Sequence, residues 1–151
     1  LRKLFSFQPV KIGIPIFIHG ARFNFFYTLH SIPTIGFKMS FQGKSFSYSS
    51  DHNNDPTLHQ QLFEKGIIDE NRFTELKNFP LDSDLIFHEC EMSEKPSGVH
   101  FHWSVLWSMM QNHNIVDKTY VYHFSDEFFN QVKELIEKPE DKEKANVQTT
   151  K

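Results

Sequence analysis

Nine histidines in 151 residues are the first feature of this sequence that bears on chemistry. Imidazole binds metal ions when neutral and exchanges protons near neutral pH. Several of these side chains stand where a strand-like run stops. His30 follows Ala21–Leu29, His88-Glu89 follows Leu85–Phe87, and His123 follows Thr119–Tyr122. Asp51 closes the run Lys44–Ser50. Strand ends are held rigidly by a sheet while the loops beyond them diverge, so sites are built there. A carboxylate can bridge two cations, so His30, Asp51 and His123 from three strand ends would supply part of a two-metal site. Each of them alone is more often a hydrogen-bonded structural residue than a ligand; only convergence separates the two readings.

The elements that must position these residues show in the pattern. Phe23, Phe25 and Tyr27 alternate with Arg22, Asn24 and Phe26, and Phe37, Met39 and Phe41 alternate with Lys38, Ser40 and Gln42. Gln42-Gly43 then makes a short turn into Lys44–Ser49, so residues 21–49 are expected as antiparallel strands with one aromatic face. His52–Pro56 and Ser93–Gly98 read as loops. Helical patterns lie near Thr57–Lys65, Glu70–Lys77 and Trp103–His113, the last with Val105, Leu106, Met109 and Met110 at helical spacing. Ser125-Asp126-Glu127 can cap a helix whose apolar stripe is Phe128, Phe129, Val132, Leu135 and Ile136. Beyond Pro139 the residues are polar and charged without an aromatic, which divides the chain into a domain portion at 1–138 and a flexible tail at 139–151. Strands and helices mix throughout, as in an α/β or α+β protein.

Composition narrows the class. Seventeen Phe and an aromatic content of 15% are ample material for a core. A net charge of −3 gives no basic excess of the kind that coats nucleic acid, and disfavours a large RNA substrate. The single cysteine, Cys90, cannot form an intramolecular disulfide and reads as a small buried residue. Val10–Ile18 is too short to span a bilayer and is broken by Pro15. With no signal peptide visible, an intracellular, cytoplasmic protein without a membrane partner is expected. The chain begins with Leu1 rather than Met, so its own N-terminus is expected upstream.

Five blocks in order carry a family resemblance. Thr28-Leu29-His30-Ser31-Ile32-Pro33-Thr34-Ile35-Gly36-Phe37 resembles the segment of ribonuclease Z-like metallo-β-lactamase proteins in which a ligand His precedes a Gly-aromatic-basic strand. Phe46–Asp51 resembles their strand ending in Tyr-Ser-Gly-Asp, Asp84–Cys90 their strand ending in His-Glu-Ala, and Tyr120–Ser125 their last strand with its ligand His. Gly98–Ser104 stands where the family has a catalytic His at a helix start, and here His100 and His102 both answer to it. The resemblance implies an α/β chain forming the C-terminal half of a metallo-β-lactamase αββα sandwich, in the ribonuclease Z-like and cyclic nucleotide phosphodiesterase-like branch. The partner of this half would be the N-terminal half of the same domain; a homodimer or larger assembly stays open.

The resemblance further implies a hydrolase for a phosphodiester or related ester. Two divalent ions, zinc or else manganese, would be held in part by His30, Asp51 and His123 and would acidify a water. His100 or His102 would protonate the leaving oxygen with Glu89 orienting that ring, help worth on the order of a hundredfold to ten-thousandfold. His88 reads as structural. The family's His-x-His-x-Asp-His motif is absent from these 151 residues, Ser50 replaces a common Gly, and His52 replaces a common Thr. A non-catalytic module of the same descent, with a structural, assembly or regulatory role, is the alternative.

Overall fold

A computed structural model of the chain describes residues 9–91, 97–123 and 130. The helix expected after Ser125, the polar tail and part of the Ser93–Gly98 loop lie outside the described residues. Six strands form one sheet in sequence order: β1 (Ile16–Ile18), β2 (Ala21–Tyr27), β3 (Ile35–Phe41), β4 (Lys44–Tyr48), β5 (Leu85–Glu89) and β6 (Thr119–Tyr122). β1 to β4 make an antiparallel meander, whereas β5 is parallel to β4 and β6 parallel to β5. Parallel neighbours need crossovers. Helices α1 (Pro56–Glu64) and α2 (Glu70–Asn78) supply the first, and α3 (Trp103–Asn112) with a 3-10 turn at Val116–Lys118 supplies the second.

Local chemistry explains the boundaries. Gln42-Gly43 and His19-Gly20 are two-residue loops with positive φ at both positions (49° and 75°, 48° and 83°), the hairpin geometry that Gly admits freely. The carboxylates of Asp55 and Asp69 accept from Thr57 N and Arg72 N at 2.8 and 2.7 Å, capping α1 and α2. Asp84 accepts from both the amide and the hydroxyl of Ser45, at 2.8 and 2.9 Å, and so fixes where β5 begins beside β4.

The two faces of the sheet differ. Ile86 of β5 and Val121 of β6 pack with Leu106, Met109 and Met110 of α3 and with Cys90, Phe101 and Ile115 in a closed core. On the opposite face Phe23, Phe25, Phe37, Phe46, Tyr48, Phe87, Tyr120 and Tyr122 form a continuous ladder of ring contacts at 5.1–6.3 Å. These rings stay half-buried. No helix among the described residues is long and apolar enough to cross a membrane.

Two expectations need correction. The sequence reading placed no strand before Ala21, yet Ile16–Ile18 pairs with β2. Three residues are too few to show alternation; the informative signal was His19-Gly20. The strand at Leu85 also continues through His88-Glu89, because both polar side chains are buried and paired rather than solvated.

Gly36 of β3 lies under Phe79. A Cβ there would stand 2.7 and 2.8 Å from the carbonyl oxygens of Tyr48 and Ser49 and 2.9 Å from Phe79 Cζ. Two of those contacts are backbone and cannot swing away. Gly36→Ala is therefore expected to destabilise the protein by about 1–3 kcal/mol, read as a lower urea midpoint at unchanged slope. A wild-type midpoint would show that the β3–β4 spacing is looser than described.

Candidate metal centre

β2, β4, β5 and β6 all point the same way, so their C-terminal ends share one edge of the sheet. His30, Asp51, Glu89 and His123 lie at that edge, as their places in the sequence predict. The chain leaves β4 through Ser50 (φ 53°) and β6 through His123 itself (φ 67°). Left-handed backbone at a non-glycine residue costs on the order of 1–3 kcal/mol, and it is tolerated where the surroundings fix the turn. This conformation explains why Gly suits the position of Ser50.

Ligand atoms of Asp51, His100 and His123 all lie within 4.8 Å of one another. Asp51 Oδ1 is 3.2 Å from His123 Nδ1, and the His100 and His123 rings meet nearly at right angles with centroids 4.9 Å apart. The His30 ring lies 5.1 Å from that of His100. The structure thus gathers His30, Asp51, His100 and His123. It treats His102 differently: that ring is the N-cap of α3, its Nδ1 accepting from Ser104 N at 3.3 Å.

Behind the cluster sits Glu89, wholly buried. Its Oε1 accepts from the amides of His52 (3.0 Å) and Phe101 (3.2 Å), and its Oε2 lies 3.2 Å from His100 Nδ1. Burial pushes the Glu89 carboxyl up to about 7, with Asp51 adding to the rise; the two amides and His123 pull the other way. A cation at the cluster would favour its ionised form. His88, next to it, faces the helices: Nδ1 donates to Glu89 O (2.7 Å), leaving Nε2 to accept from Asn54 Nδ2 (3.3 Å). Burial lowers its pKa to about 4, so it is neutral and structural.

Supporting residues that the sequence reading gave no role complete the edge. The Thr28 and Thr34 hydroxyls both reach Asp51 O, at 2.7 and 3.1 Å, and also contact each other. Ser49 Oγ accepts from Glu89 N at 3.0 Å and meets the Tyr122 hydroxyl at 3.1 Å. Short hydroxyl side chains beside turns are the only sequence signal for them.

Imidazole nitrogens and a carboxylate are a donor set that divalent transition ions accept. One detail supports that fit. His30 Nε2 is buried without a hydrogen-bonding partner among the described residues, while its Nδ1 accepts from Ile32 N at 3.5 Å. An unsatisfied buried polar atom costs about 1–3 kcal/mol, which coordination would remove once the ring proton moves to Nδ1 and the long contact from Ile32 N is given up. A pocket of about 220 Å³, lined by Asn53, Gly98, His100, Phe101, His102 and Ser104 among others, opens beside the cluster. The larger cavity, about 700 Å³, lies among the helices near His59, Phe73 and Met109 and contains none of the clustered residues.

Comparison with known proteins follows this geometry. Residues 1–140 match the family described as Anti-Pycsar protein Apyc1. Two Dictyostelium discoideum proteins are similar in sequence. The cGMP-dependent 3',5'-cGMP phosphodiesterase A is 37% identical over 128 residues, 83% of this chain and 14% of that protein. The cAMP/cGMP-dependent 3',5'-cAMP/cGMP phosphodiesterase B is 42% identical over 89 residues, 59% of this chain and 8% of that protein. The match thus spans a small part of each. Among solved structures, the metallo-β-lactamase fold protein YhfI from Bacillus subtilis superposes with a TM-score of 0.57 at 14% identity, over 97% of this chain and 52% of that one. A putative metal-dependent hydrolase from Parabacteroides distasonis gives 0.50 at 13% identity, over 98% and 59%. The fold is of metallo-β-lactamase type, and this chain amounts to about half of it.

Proposed function

The chain belongs to the Apyc1 family of anti-Pycsar proteins, and on that premise we propose that it forms part of a metal-dependent phosphodiesterase opening a 3',5'-cyclic nucleotide. The observation that carries this reading is the gathering of His30, Asp51, His100 and His123 at one sheet edge, where ligand atoms of the last three lie within 4.8 Å of one another and the His30 ring lies 5.1 Å from that of His100. The names of the two phosphodiesterases supply the substrate class.

In this reading His30, Asp51 and His123 would hold divalent ions, two of them and zinc by preference, with manganese as the other choice. Such ions would polarise the phosphodiester and acidify a water. Glu89 would accept the Nδ1 proton of protonated His100 and so fix the ring, whose Nε2 proton would pass to the departing ribose oxygen. His100 is preferred to His102 for that role because Glu89 contacts it, whereas the Nδ1 of His102 serves the cap of α3. The half-exposed aromatic face receives the other half of the domain, which would bring the remaining metal ligands. An intracellular setting suits this substrate and the buried, unpaired Cys90.

The test uses the full-length protein loaded with zinc or manganese and supplied with 3',5'-cAMP or 3',5'-cGMP. Ring opening to a nucleoside monophosphate is expected. His100→Ala should lower kcat by roughly a hundredfold to ten-thousandfold while the bound metal stays, since a general acid acts on the leaving group. No turnover by metal-loaded wild type refutes the proposal. Loss of metal from the His100→Ala variant would instead make His100 a ligand.

A further inference from the structure

The sheet leaves one problem at this edge unsolved. His30 follows β2 and Asp51 follows β4, but β2 and β4 are not neighbours; β3 lies between them. No ladder hydrogen bond therefore sets the distance between these two side chains. We propose that His52 is a positioning residue that sets it, by accepting a hydrogen bond across the gap from the backbone next to His30. This rests on the reading of His30 and Asp51 as metal holders.

His52 is fully buried, and its Nδ1 accepts from Leu29 N at 3.0 Å. Leu29 O in turn accepts from Asn53 N at 2.8 Å. The two bonds make a clasp between residue 29 and residues 52–53. Leu29 adjoins His30 and His52 adjoins Asp51, so the clasp holds both side chains by their immediate neighbours. The His52 amide also donates to Glu89 Oε1, which ties the clasp to the group that orients His100. The ring cannot turn away: it lies among Phe79, His59 and His88 at 6.0–6.1 Å. Of the two inward bonds of residue 52, the one to Glu89 is backbone and survives substitution, while the one from Leu29 needs an acceptor at the Nδ1 position.

That position separates two substitutions of similar polarity. The Asn Oδ1 is as many bonds from Cβ as Nδ1 and can accept from Leu29 N. The Gln acceptor is one carbon farther out and misses it. The experiment measures zinc and manganese affinity by chelator competition, and kcat with 3',5'-cGMP, for full-length wild type, His52→Asn and His52→Gln. Melting of the chelated proteins is followed in parallel. His52→Gln is expected to lose roughly ten- to a hundredfold in metal affinity, with kcat falling alongside, the range seen when a group that orients a ligand is removed. His52→Asn should stay close to wild type in metal affinity; both variants lose the ring packing, and His52→Gln should melt lower still because it leaves the Leu29 amide unpaired. Equal metal affinity in the two variants, whether retained or lost, overturns the positioning role. Wild type that binds no metal overturns the metal centre itself, and the role of His52 with it.

Discussion

With the proposed metal centre, Asp51→Asn in the full-length protein is expected to strip the metal and lower the proposed phosphodiester hydrolysis by more than a hundredfold, beyond the roughly ten- to hundredfold typical of residues that only orient ligands. A carboxylate offers two equivalent acceptor oxygens and a negative charge; an amide offers one acceptor, no charge, and a pair of hydrogens that repel a cation. Folding should hardly change. The Asp51 side chain is 36% exposed, and the bonds that anchor the residue, from the hydroxyls of Thr28 and Thr34, go to its carbonyl oxygen. Asn also keeps an oxygen for His123 Nδ1. Asp51 raises the energy of ionised Glu89 behind it, so removing its charge relieves that repulsion in the metal-free protein. Metal analysis beside urea unfolding in chelator separates the effects. The expected pair is lost metal with a stability change within about half a kcal/mol, the usual range for surface positions. Metal content equal to wild type would show that Asp51 is not a ligand, and a large loss of stability would make it structural.

The edge holding these residues was legible because side-chain type changes abruptly there. Alternating Phe and polar residues in β2 and β3 fix both the strands and their faces, and His30, Asp51 and His123 interrupt the pattern where the sheet stops. Convergence of the three was a matter of direction: once residues 21–49 form a meander, β2 and β4 must point alike. What escaped was whatever depended on partners distant in the chain. Glu89 was expected only to orient a histidine and His88 only to be structural; the two amides that Glu89 accepts and the bridge His88 makes from Glu89 O to Asn54 were not foreseen. His52 looked like a loop residue and is buried, because its Nδ1 answers an amide 23 positions earlier. The different surroundings of His100 and His102 could not be read from spacing two residues apart. It was the turn of the chain into α3 that aimed one ring at Glu89 and set the other to capping.

The buried histidines make a second large effect, in acid. His52, His59 and His88 all have pKa values below the ordinary 6.5, in each case chiefly through burial, with His88 at about 4. A histidine depressed in the folded state contributes stability above pH 6.5, which is lost as pH falls, because only the unfolded chain takes up the proton. For His88 the shift from 6.5 to about 4 amounts to about 3 kcal/mol, a sizeable part of the 5–15 kcal/mol typical of a domain. Glu89 works in the opposite sense. Its carboxyl is raised to about 7, so its contribution is present at low pH and lost as pH rises through 7. It therefore offsets about one of the three histidines on acidification, and the others should prevail. In chelator, the urea midpoint is expected to fall steadily from pH 6.5 towards pH 4. His88→Asn retains a donor for Glu89 O at the Nδ1 position but cannot take up a proton. Its acid limb should be shallower by one proton, about 1.4 kcal/mol per pH unit. Glu89→Gln should do the reverse, removing the counterweight and steepening the loss between pH 7 and 4.5. If His88→Asn leaves the slope unchanged, His88 is protonated in the folded protein as readily as in the unfolded chain, and its burial does not keep it neutral.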